Sequence, residues 1–584
     1  MLKWPRKRLF LFPDMAILQP LIDLAAICYA QGVRHVVVSP GSRSAALTLA
    51  FARHEGFEMH VCMDERSAGF IGLGIAQQTQ VPVVLICTSG SAVYNFAPAV
   101  SEAFFQQIPL LVLSADRPKE WLHQYDGQTI YQSEIFGKHV KRSFEFAADY
   151  AHKDSLWAIN RISNEAVALA AMTPMGPVHI NIPIREPFYP AHDEKMTSSA
   201  DLKVIKRQSS GQTLQPEIWK DIIDSFEEYP RILIAIGQHM PDNELSEVMD
   251  KISEEWDIPI LADQIANVKG PRIFRNHDLY LNKNETENLV PDLLITAGLS
   301  FISKEFKQFV RKNRPKAHWH IGEDAFLADP TQSVTQIIPV SPTYFFQNLF
   351  ENIDYQLFVQ NTDPETDPAF LENWKREEAS IKRKKADYFS NLTKVSDITS
   401  LELLFKDTNQ SYQLHLANSM SVRYANVLNI PEFVTGVFCN RGTSGIDGCV
   451  STAVGAALVN REDTLLVIGD VAFMYDRNGL LIESLPQNLK IVVVNNAGGN
   501  IFRMIDGPAG LPELEKYFET RHSFSAKRTC EDSNIAYFSS NDWNTLPETI
   551  ESFRQSKGIS LLEIFTDPVE NEKSWKALKK YCRE

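Results

Sequence analysis

Oxygen-bearing side chains follow two apolar segments in the C-terminal third of the chain. Asp470 ends the apolar run Thr464–Asp470, and Asn496 and Gly498 lie at the end of the run Lys490–Gly499. Both runs have the composition of buried parallel strands, whose carboxyl ends share the sheet edge where open α/β sheets bind ligands. A carboxylate, an amide oxygen and a backbone carbonyl are hard ligands that suit Mg²⁺, which usually shares them with phosphate. The spacing therefore predicts an anchor for a divalent cation and a diphosphate.

A Gly-Asp pair after an apolar run has a simpler interpretation. Asp470 could serve only as an N-cap on a strand–loop–helix turn. The segment Asn495–Gly499, which follows the second apolar run, favours the metal site. An anchor for a diphosphate also requires a partner half-site elsewhere in the chain, where the rest of a cofactor would bind.

Glu65 is the candidate for that partner half-site. It follows an apolar run, His60–Asp64, and enters a Gly- and Ala-rich segment, Arg66–Gln77, which we expect to be helical. The small residues would allow close packing against neighbouring elements or a cofactor. The alternative is that Glu65 only complements the positive end of a helix.

The elements that position these residues alternate between strand and helix patterns in three successive regions. This alternation predicts an α/β fold with three parallel-sheet domains, at residues 15–188, 205–352 and 395–584. We expect a helix over Ala92–Phe105 in the first domain and another over Ala472–Pro486 in the third. The first and third domains share a pattern that suggests an ancient duplication, whereas the central domain has few candidate catalytic residues.

Composition excludes several classes of protein. The chain has 584 residues, a formal charge of −15 and a pI near 5.5, so it lacks the basic surface that nucleic-acid or anionic-membrane binding requires. No segment is long and apolar enough to cross a bilayer. Seven scattered cysteines without a CxxC pair favour buried thiols and a cytoplasmic location. An anionic substrate must therefore be held by local Arg and Lys side chains.

The opening segment MLKWPRKRLFLFPDM has basic residues ahead of apolar ones, as a signal peptide does. Pro13 and Asp14 interrupt the apolar run and no small-residue cleavage site follows, so we do not expect a signal peptide. Met15 is an alternative to Met1 as the start.

Three motifs together resemble those of thiamin-diphosphate enzymes: Gly-Asp with a later Asn-Asn, the segment containing Glu65, and TSGSAVYN at Thr88–Asn95. The resemblance implies a thiamin-diphosphate-binding fold in the first and third domains, with thiamin diphosphate and Mg²⁺ or Mn²⁺ as cofactors. Val471, Ser91 and Val93 depart from the common pattern. The implied roles are catalysis by Glu65; cofactor binding by Glu65, Thr88, Ser89, Gly90, Asn95, Ile446, Asp470, Asn496, Ile501 and Phe502; and metal binding by Asp470, Asn496 and Gly498.

Further segments resemble one branch of that superfamily, the carboligases of menaquinone biosynthesis: SPGSRS, SADRP, NSMSVR and NRGTSGIDG. These enzymes join 2-oxoglutarate to isochorismate, and the resemblance implies that Ser419 and Arg423 hold the distal carboxylate of the succinyl group. Two dicarboxylates in a dry site need convergent cations, and Arg binds carboxylate through two parallel hydrogen bonds. The remaining substrate residues implied are Ser42, Arg43, Arg117, Gln128, Lys304 and Arg441. Glu305, where some relatives have Arg, is a departure.

The resemblance implies a transferase that decarboxylates 2-oxoglutarate and adds the succinyl carbanion to isochorismate by conjugate addition. It also implies a homodimer or a dimer of dimers (a homotetramer). One alternative is another thiamin-diphosphate enzyme, either a 2-oxo acid decarboxylase or an acetolactate-type carboligase. The other alternative is a non-catalytic α/β binding protein that retains the fold. The joint presence of Glu65, Asp470 and Asn496 argues against it.

Overall fold

The computed structural model describes most of the chain. The described residues are 18–150, 152–186, 189, 196–208, 210–283, 286–323, 326–353, 369–406, 410–505 and 507–584. The segment that holds the alternative start, Met15, lies outside them. Contacts divide the chain into two units: the first comprises the described residues up to 208 with Val454–Val459 and Asn478–Leu485, and the second comprises Ser210–Ala453, Asn460–Arg477 and Pro486–Glu584.

The first unit contains a six-stranded parallel sheet with the strand order β2-β1-β3-β4-β6-β5. Every residue of the inner strands β3, β4 and β6 is buried and most are apolar, as expected for a parallel sheet covered on both faces. Its strands are β1 His35–Val38, β2 Glu58–Val61, β3 Val83–Cys87, β4 Leu110–Asp116, β5 Arg142–Glu145 and β6 Val178–Pro183. Its helices are α1 Gln19–Ala30, α2 Ala45–Ala52, α3 Glu65–Thr79, α4 Ala92–Asn95, α5 Ala97–Gln106 and α6 Lys153–Ala171.

The second unit contains two further six-stranded parallel sheets and the long helix that connects them. The central sheet has the order β12-β11-β10-β7-β8-β9, and the last sheet has the order β14-β13-β15-β16-β18-β17. The strands are β7 Ile232–Ile236, β8 Ile260–Ala262, β9 Ile273–Phe274, β10 Leu293–Ala297, β11 Ala317–Ile321, β12 Gln336–Ile338, β13 Tyr412–Leu416, β14 Val434–Cys439, β15 Asp463–Gly469, β16 Leu489–Asn495, β17 Ala536–Ser540 and β18 Ser560–Phe565.

The remaining helices belong to the second unit, except that α15 begins in the second unit and ends in the first. Those from the central region to the connecting helix are α7 Pro216–Phe226, α8 Asn243–Glu255, α9 His277–Tyr280, α10 Lys304–Lys312, α11 Pro342–Asn352 and α12 Phe370–Ser390. Those of the last region are α13 Asp397–Phe405, α14 Met420–Val427, α15 Cys449–Val459, α16 Asp470–Asp476, α17 Ile501–Met504, α18 Lys527–Asp532, α19 Leu546–Gln555 and α20 Pro568–Arg583.

The first and last sheets have the same topology. When the strands of each sheet are numbered from one, both have the order 2-1-3-4-6-5. The predicted α/β fold with three parallel sheets is confirmed, and the shared order supports the duplication suggested by the sequence. The domain boundaries at 15–188, 205–352 and 395–584 stay predictions.

Within the second unit, a buried polar network holds α14 against the central sheet. Asn426, on α14, donates to Asp263 Oδ1 (3.0 Å) and accepts from the backbone N–H of Gln264 (3.0 Å). Asp263 Oδ1 also lies 3.2 Å from Nε2 of His277. Because buried polar groups are costly unless they are paired, this network fixes the position of α14.

Three predicted elements have different bounds in the structure. The strand expected at His60–Asp64 is Glu58–Val61, and Cys62 instead forms an isolated antiparallel bridge with Ile482. The helix expected over Ala92–Phe105 is interrupted at Phe96, because Pro98 has no N–H to continue the backbone ladder. The prediction of a helix over Ala472–Pro486 is also wrong, because the helix ends well before Pro486.

That third helix, α16, ends at Asp476 and continues only as a 3₁₀ turn over Arg477–Leu480. Asn478 and Gly479 both disfavour a helix interior. The Asn478 side chain instead donates to Asp64 Oδ2 (2.9 Å) within the first unit. The side-chain contact and the weak local propensity together explain the early end of α16.

Candidate active site

A cavity of about 600 Å³ opens at the carboxyl ends of the strands of the last sheet. The strand order reverses between β13 and β15, and such switch points are where doubly wound sheets bind ligands. Loops after β13, β14, β15 and β16 all contribute to its walls. The lining includes Asp397, Asn418, Ser419, Arg423, Arg441, Ile446, Asp470, Asn496, Gly498, Asn500, Ile501 and Phe502.

Asp470 and Gly498 meet in this cavity, as the sequence predicts. Strands β15 and β16 pair in parallel, with Gly469 opposite Val494, so both chain segments leave the sheet at the same edge. Asp470 is buried at the start of α16, and its Oδ2 accepts from the backbone N–H of Gly498 (3.0 Å). Parallel pairing therefore brings the two halves of the predicted metal anchor together.

Asn496 has one side-chain atom paired and the other available. Its Nδ2 donates to Asp397 Oδ2 (3.0 Å), while its buried Oδ1 has no hydrogen-bond partner among the described residues. Asp397 is held in turn by Thr566 Oγ1 (2.6 Å) and Asn571 Nδ2 (2.7 Å). The hydrogen bond to Asp397 fixes the orientation of the amide, so the oxygen of Asn496 is left to bind a ligand.

The charges in this part of the cavity also suit a cation. Burial, together with the nearby negative charge of Asp470, raises the pKa of Asp397 to about 6. Nε2 of His522 lies 3.2 Å from Asp470 Oδ2. The buried carboxylate of Asp470 and the unpaired amide oxygen of Asn496 form a donor set that fits a divalent cation such as Mg²⁺, and Asp397 adds negative charge beside it.

The space around position 498 admits only glycine. A Cβ atom at this position would lie 2.6 Å from the carbonyl oxygen of Glu519, closer than real Cβ contacts. The preceding residue, Ala497, has a φ of +60°, in the left-handed region. The sharp turn Ala497–Gly498 therefore carries the chain directly past Asp470.

The polar side chains after β13 and β14 form a second part of the cavity. Arg423 donates a hydrogen bond to the carbonyl of Ser419, one turn earlier, as the spacing of the two residues predicts. Ser419 has a φ of +72°, which is uncommon for a residue with a side chain. Arg441 donates to Asn418 Oδ1 (3.0 Å), while Asn418 Nδ2 donates to the carbonyl of Gly445 (2.7 Å). Asn418 thus holds the Arg441 loop beside α14.

Two arginines in one partly buried place repel each other. Burial lowers the pKa of Arg423, and the neighbouring charge of Arg441 lowers it further. A carboxylate ligand would relieve this repulsion and could accept hydrogen bonds from both groups. The arrangement is therefore suited to an anionic substrate.

Apolar and amide groups complete the wall. Ile446, Ile501 and Phe502 all line the cavity, and the ring of Phe502 packs 5.6 Å from that of Phe518. Asn500 also lines it, and both polar atoms of its buried side chain lack a hydrogen-bond partner within the described part of the chain. Because a buried unpaired amide is costly, Asn500 is a candidate ligand-binding residue.

Lys304 does not line this cavity. It is exposed at the start of α10. Burial lowers the pKa of Lys307, one turn further on; Asp263 opposes that decrease, and the charges of Arg441 and Arg423 lower the pKa further. The structure therefore places Lys307, which the sequence analysis did not single out, within electrostatic reach of Arg423 and Arg441.

In the first unit, Glu65 is the first residue of α3. Asp64 caps the helix by accepting from the backbone N–H of Arg66 (2.9 Å), so the capping role falls to Asp64. The Glu65 carboxylate makes no hydrogen bond or ion pair with any described residue. Burial raises the pKa of Cys87, at the end of β3, and the charge of Glu65 raises it further, which places Glu65 near that strand end.

The segment after Cys87 has the unpaired groups of a binding site. Thr88 Oγ1 and Ser89 Oγ are buried and have no hydrogen-bond partner in the described structure. Gly90 has a φ of +89°, and a Cβ at this position would lie 3.2 Å from Cα of Gln128. Asn95, at the end of α4, is exposed. The structure thus brings Thr88, Ser89 and Gly90 close to Glu65 and Gln128.

The other predicted substrate residues of this unit also gather at the carboxyl ends of its strands. Arg43 is buried and donates to the carbonyl of Ile184 (3.0 Å); burial lowers its pKa, and the nearby Arg117 lowers it further. Arg117 pairs with Asp126 Oδ2 at 2.8 Å. Ser42 and Gln128 are exposed.

Sequence reasoning missed Asp397, His522 and Asn500. Asp397 lies in a first helical turn behind a capping box formed by Ser396 and Thr399, where an acidic residue is common. His522 is 52 residues from Asp470 in the sequence (522 − 470), with no motif linking them. Asn500 could have been noticed, because it directly follows the Asn495–Gly499 segment.

The comparisons agree with this geometry. Residues 23–138 match the family model described as "Thiamine pyrophosphate enzyme, N-terminal TPP binding domain". This segment spans β1 to β4 of the first sheet and includes Glu65, Thr88, Ser89 and Gly90. The chain therefore carries the N-terminal cofactor-binding domain of a thiamin-diphosphate enzyme.

The full-length relatives define the family more narrowly. A 2-succinyl-5-enolpyruvyl-6-hydroxy-3-cyclohexene-1-carboxylate (SEPHCHC) synthase of Cytophaga hutchinsonii is 42% identical over 97% of this chain and 99% of its own length. The synthase of Flavobacterium johnsoniae is 35% identical over 98% and 100%, and that of Phocaeicola vulgatus is 33% identical over 96% and 97%. The chain belongs to the SEPHCHC synthase family. Among the described residues, no helix is long and apolar enough to span a membrane.

Proposed function

We propose that the protein is a thiamin-diphosphate-dependent transferase of menaquinone biosynthesis. It decarboxylates 2-oxoglutarate and adds the succinyl unit to isochorismate by conjugate addition, giving SEPHCHC and CO₂. The observation that carries this proposal is that one cavity combines an oxygen ligand set around Asp470 with Arg423 and Arg441. The relatives named SEPHCHC synthase, similar over nearly their full length, support the same reaction.

Asp470, Asn496 and the carbonyl of Gly498 would hold Mg²⁺ or Mn²⁺ and, through it, the cofactor diphosphate. The unpaired Oδ1 of Asn496 supports this assignment, because Asp397 already occupies the amide nitrogen. When bound, thiamin diphosphate supplies the electron sink that decarboxylation of a 2-oxo acid requires. Ile446, Ile501 and Phe502 would provide an apolar wall that limits the access of water.

Glu65 would exchange a proton with a ring nitrogen of the cofactor's aminopyrimidine. Its carboxylate has no partner among the described residues, so it is available for this role. Thr88, Ser89, Gly90 and Asn95 would contact the same ring. Two unpaired hydroxyls, those of Thr88 and Ser89, support this proposal.

Ser419 and Arg423 would bind the distal carboxylate of 2-oxoglutarate. The remaining substrate carboxylates and isochorismate would contact Arg441, Asn500 and a further set of polar groups. That set comprises Ser42, Arg43, Arg117, Gln128 and Lys304. Burial lowers the pKa of Arg423 and the charge of Arg441 lowers it further, so an anionic ligand between the two arginines would relieve their repulsion.

We also propose a homodimer or dimer of dimers and a cytoplasmic location. The family resemblance implies the oligomer. All seven cysteines are buried and free, which supports a reducing environment.

Product analysis tests the proposed reaction. The protein with thiamin diphosphate and Mg²⁺ is given 2-oxoglutarate with and without isochorismate, and CO₂ and organic products are measured by mass spectrometry. We expect one SEPHCHC per CO₂, and slow CO₂ release without isochorismate. Equally fast CO₂ release without isochorismate would instead indicate a decarboxylase. Product from pyruvate alone would indicate an acetolactate-type carboligase, and failure to bind thiamin diphosphate would indicate a non-catalytic protein.

A further inference from the structure

Three side chains of types that can bind a metal lie together at one edge of the first sheet, apart from the residues assigned to the reaction. His35 begins β1, and Glu58 and His60 lie on the edge strand β2. The parallel register pairs His35 with Glu58. Because side chains alternate along a strand, Glu58 and His60 project from the same face of the sheet. The three side chains therefore converge over one face.

The distances between their ligand atoms match those of a zinc site. His35 Nδ1 lies 3.3 Å from His60 Nε2 and 3.5 Å from Glu58 Oε2, and one ligand atom from each residue lies within 4.8 Å of the others. In a tetrahedral zinc site with bonds of about 2.0–2.1 Å, neighbouring ligand atoms are about 3.3–3.4 Å apart. The side chains would need little movement to bind a metal.

Hydrogen bonding within the cluster does not satisfy all three groups. A proton on His35 Nδ1 can form a full hydrogen bond with His60 or with Glu58, but not with both at once. Glu58 has a side chain that is 69% exposed, which leaves a path from solvent.

We propose that His35, Glu58 and His60 bind Zn²⁺, with water as the fourth ligand. Two imidazole nitrogens and one carboxylate suit zinc, whereas the oxygen set at Asp470 suits Mg²⁺. The metal would link the edge strand β2 to β1. Strand β2 ends four residues before Glu65, so the site would stabilise the strand that leads to α3.

Cobalt titration of the protein saturated with thiamin diphosphate and Mg²⁺ tests the proposal, because Mg²⁺ then occupies the other metal site. Four-coordinate Co²⁺ absorbs much more strongly in the visible than six-coordinate Co²⁺. We expect one equivalent of strongly absorbing Co²⁺ per chain, displaced by Zn²⁺. His60→Asn and Glu58→Gln should each weaken binding by about tenfold or more, as losing a ligand costs at least as much as losing an outer partner.

His152→Asn is the matched control. His152 Nδ1 lies 3.6 Å from Asp154, so it also pairs an imidazole with a carboxylate, and Asn can replace it as the cap of α6. This variant should bind Co²⁺ like the unaltered protein. Zn²⁺ should also raise the melting temperature of the unaltered protein and the control, but not of His60→Asn.

Two results would overturn the site. One is the absence of a strongly absorbing Co²⁺ complex in the unaltered protein. The other is Co²⁺ affinity in Glu58→Gln and His60→Asn equal to that of the control. Glu58 is largely exposed, so its variant stays informative even if His60→Asn folds poorly.

Discussion

Replacing Asp397 with Asn tests whether this buried carboxylate orients the metal ligand Asn496. Asp397 accepts from Asn496 Nδ2 (3.0 Å) and Tyr424 Oη (3.4 Å) on one oxygen, and from Thr566 Oγ1 (2.6 Å) and Asn571 Nδ2 (2.7 Å) on the other. An Asn side chain has only one acceptor atom, so its NH₂ group must face one of these pairs of donors.

The magnitude follows from that mismatch. A buried donor without a partner costs about 1–3 kcal/mol, so the free energy of unfolding should fall by that order. The Asn496 amide would lose its fixed orientation whenever the NH₂ group faces it. Loss of such an outer partner lowers metal affinity by about 10–100-fold, which corresponds to about 1.4–2.7 kcal/mol.

The assay is a Mg²⁺ titration of activity at saturating thiamin diphosphate, together with urea unfolding without ligands. The Mg²⁺ concentration for half-maximal activity should rise by about 10–100-fold in Asp397→Asn. The control is Asp567→Asn, which alters another Asp of the same sheet edge. Asp567 only caps α20 by accepting from Val569 and Glu570 N–H groups, a role that Asn also fills.

An unchanged Mg²⁺ requirement in Asp397→Asn would refute the reasoning, even if stability fell. It would mean that Asn496 either keeps its orientation without Asp397 or does not bind the metal. An equal shift in the control would instead indicate a general effect of altering this edge.

Four further changes have distinct expected outcomes. Glu65→Gln should bind thiamin diphosphate in calorimetry but lose most turnover, because the amide cannot exchange the proton; near-normal turnover would contradict its role. Arg423→Ala should raise KM for 2-oxoglutarate by about 10–100-fold, because a charge-assisted hydrogen bond contributes about 1.5–3 kcal/mol. Arg521 is exposed and ion-paired, and Arg521→Ala should leave this KM unchanged. Asn500→Ala should weaken cofactor or substrate binding by about 2–10-fold without lowering the unfolding free energy of the ligand-free protein, since its amide has no partner among the described residues; a large loss of stability would argue against this. Burial lowers the pKa of His179 from 6.5 to about 3, so the unfolded state binds more protons below pH 6.5 and stability falls as pH drops. Between about pH 7 and about pH 5.5, the free energy of unfolding, measured with urea, should fall by about 1 kcal/mol less in His179→Gln than in the unaltered protein. An equal decrease in the two proteins would contradict the sign.

The sequence predicted the elements whose signals are local. Apolar runs such as Thr464–Asp470 and Lys490–Gly499 correspond to β15 and β16, and parallel pairing brings their ends together. The pair Ser419 and Arg423 needed only the spacing of one helical turn, which the structure has. Motifs of this kind are predictable because neighbours in the sequence set the geometry.

The contacts that the sequence did not predict are long-range. Asp397 reaches Asn496 across 99 residues, and nothing near either residue indicates the pairing. The early end of α16 likewise depends on a contact of Asn478 with Asp64, 414 residues away. Lys307 lies one helical turn beyond Lys304, and its electrostatic interaction with Arg423 and Arg441 depends on how α10 packs.

Locating the metal tests the central claim most directly. A crystal of the protein grown with thiamin diphosphate and Mn²⁺ would show the ion by its anomalous scattering. The ion should lie within coordination distance of Asp470 Oδ, Asn496 Oδ1 and the carbonyl oxygen of Gly498, and bridge to the diphosphate. Bound cofactor with the ion elsewhere, or with no ion near Asn496, would contradict the account.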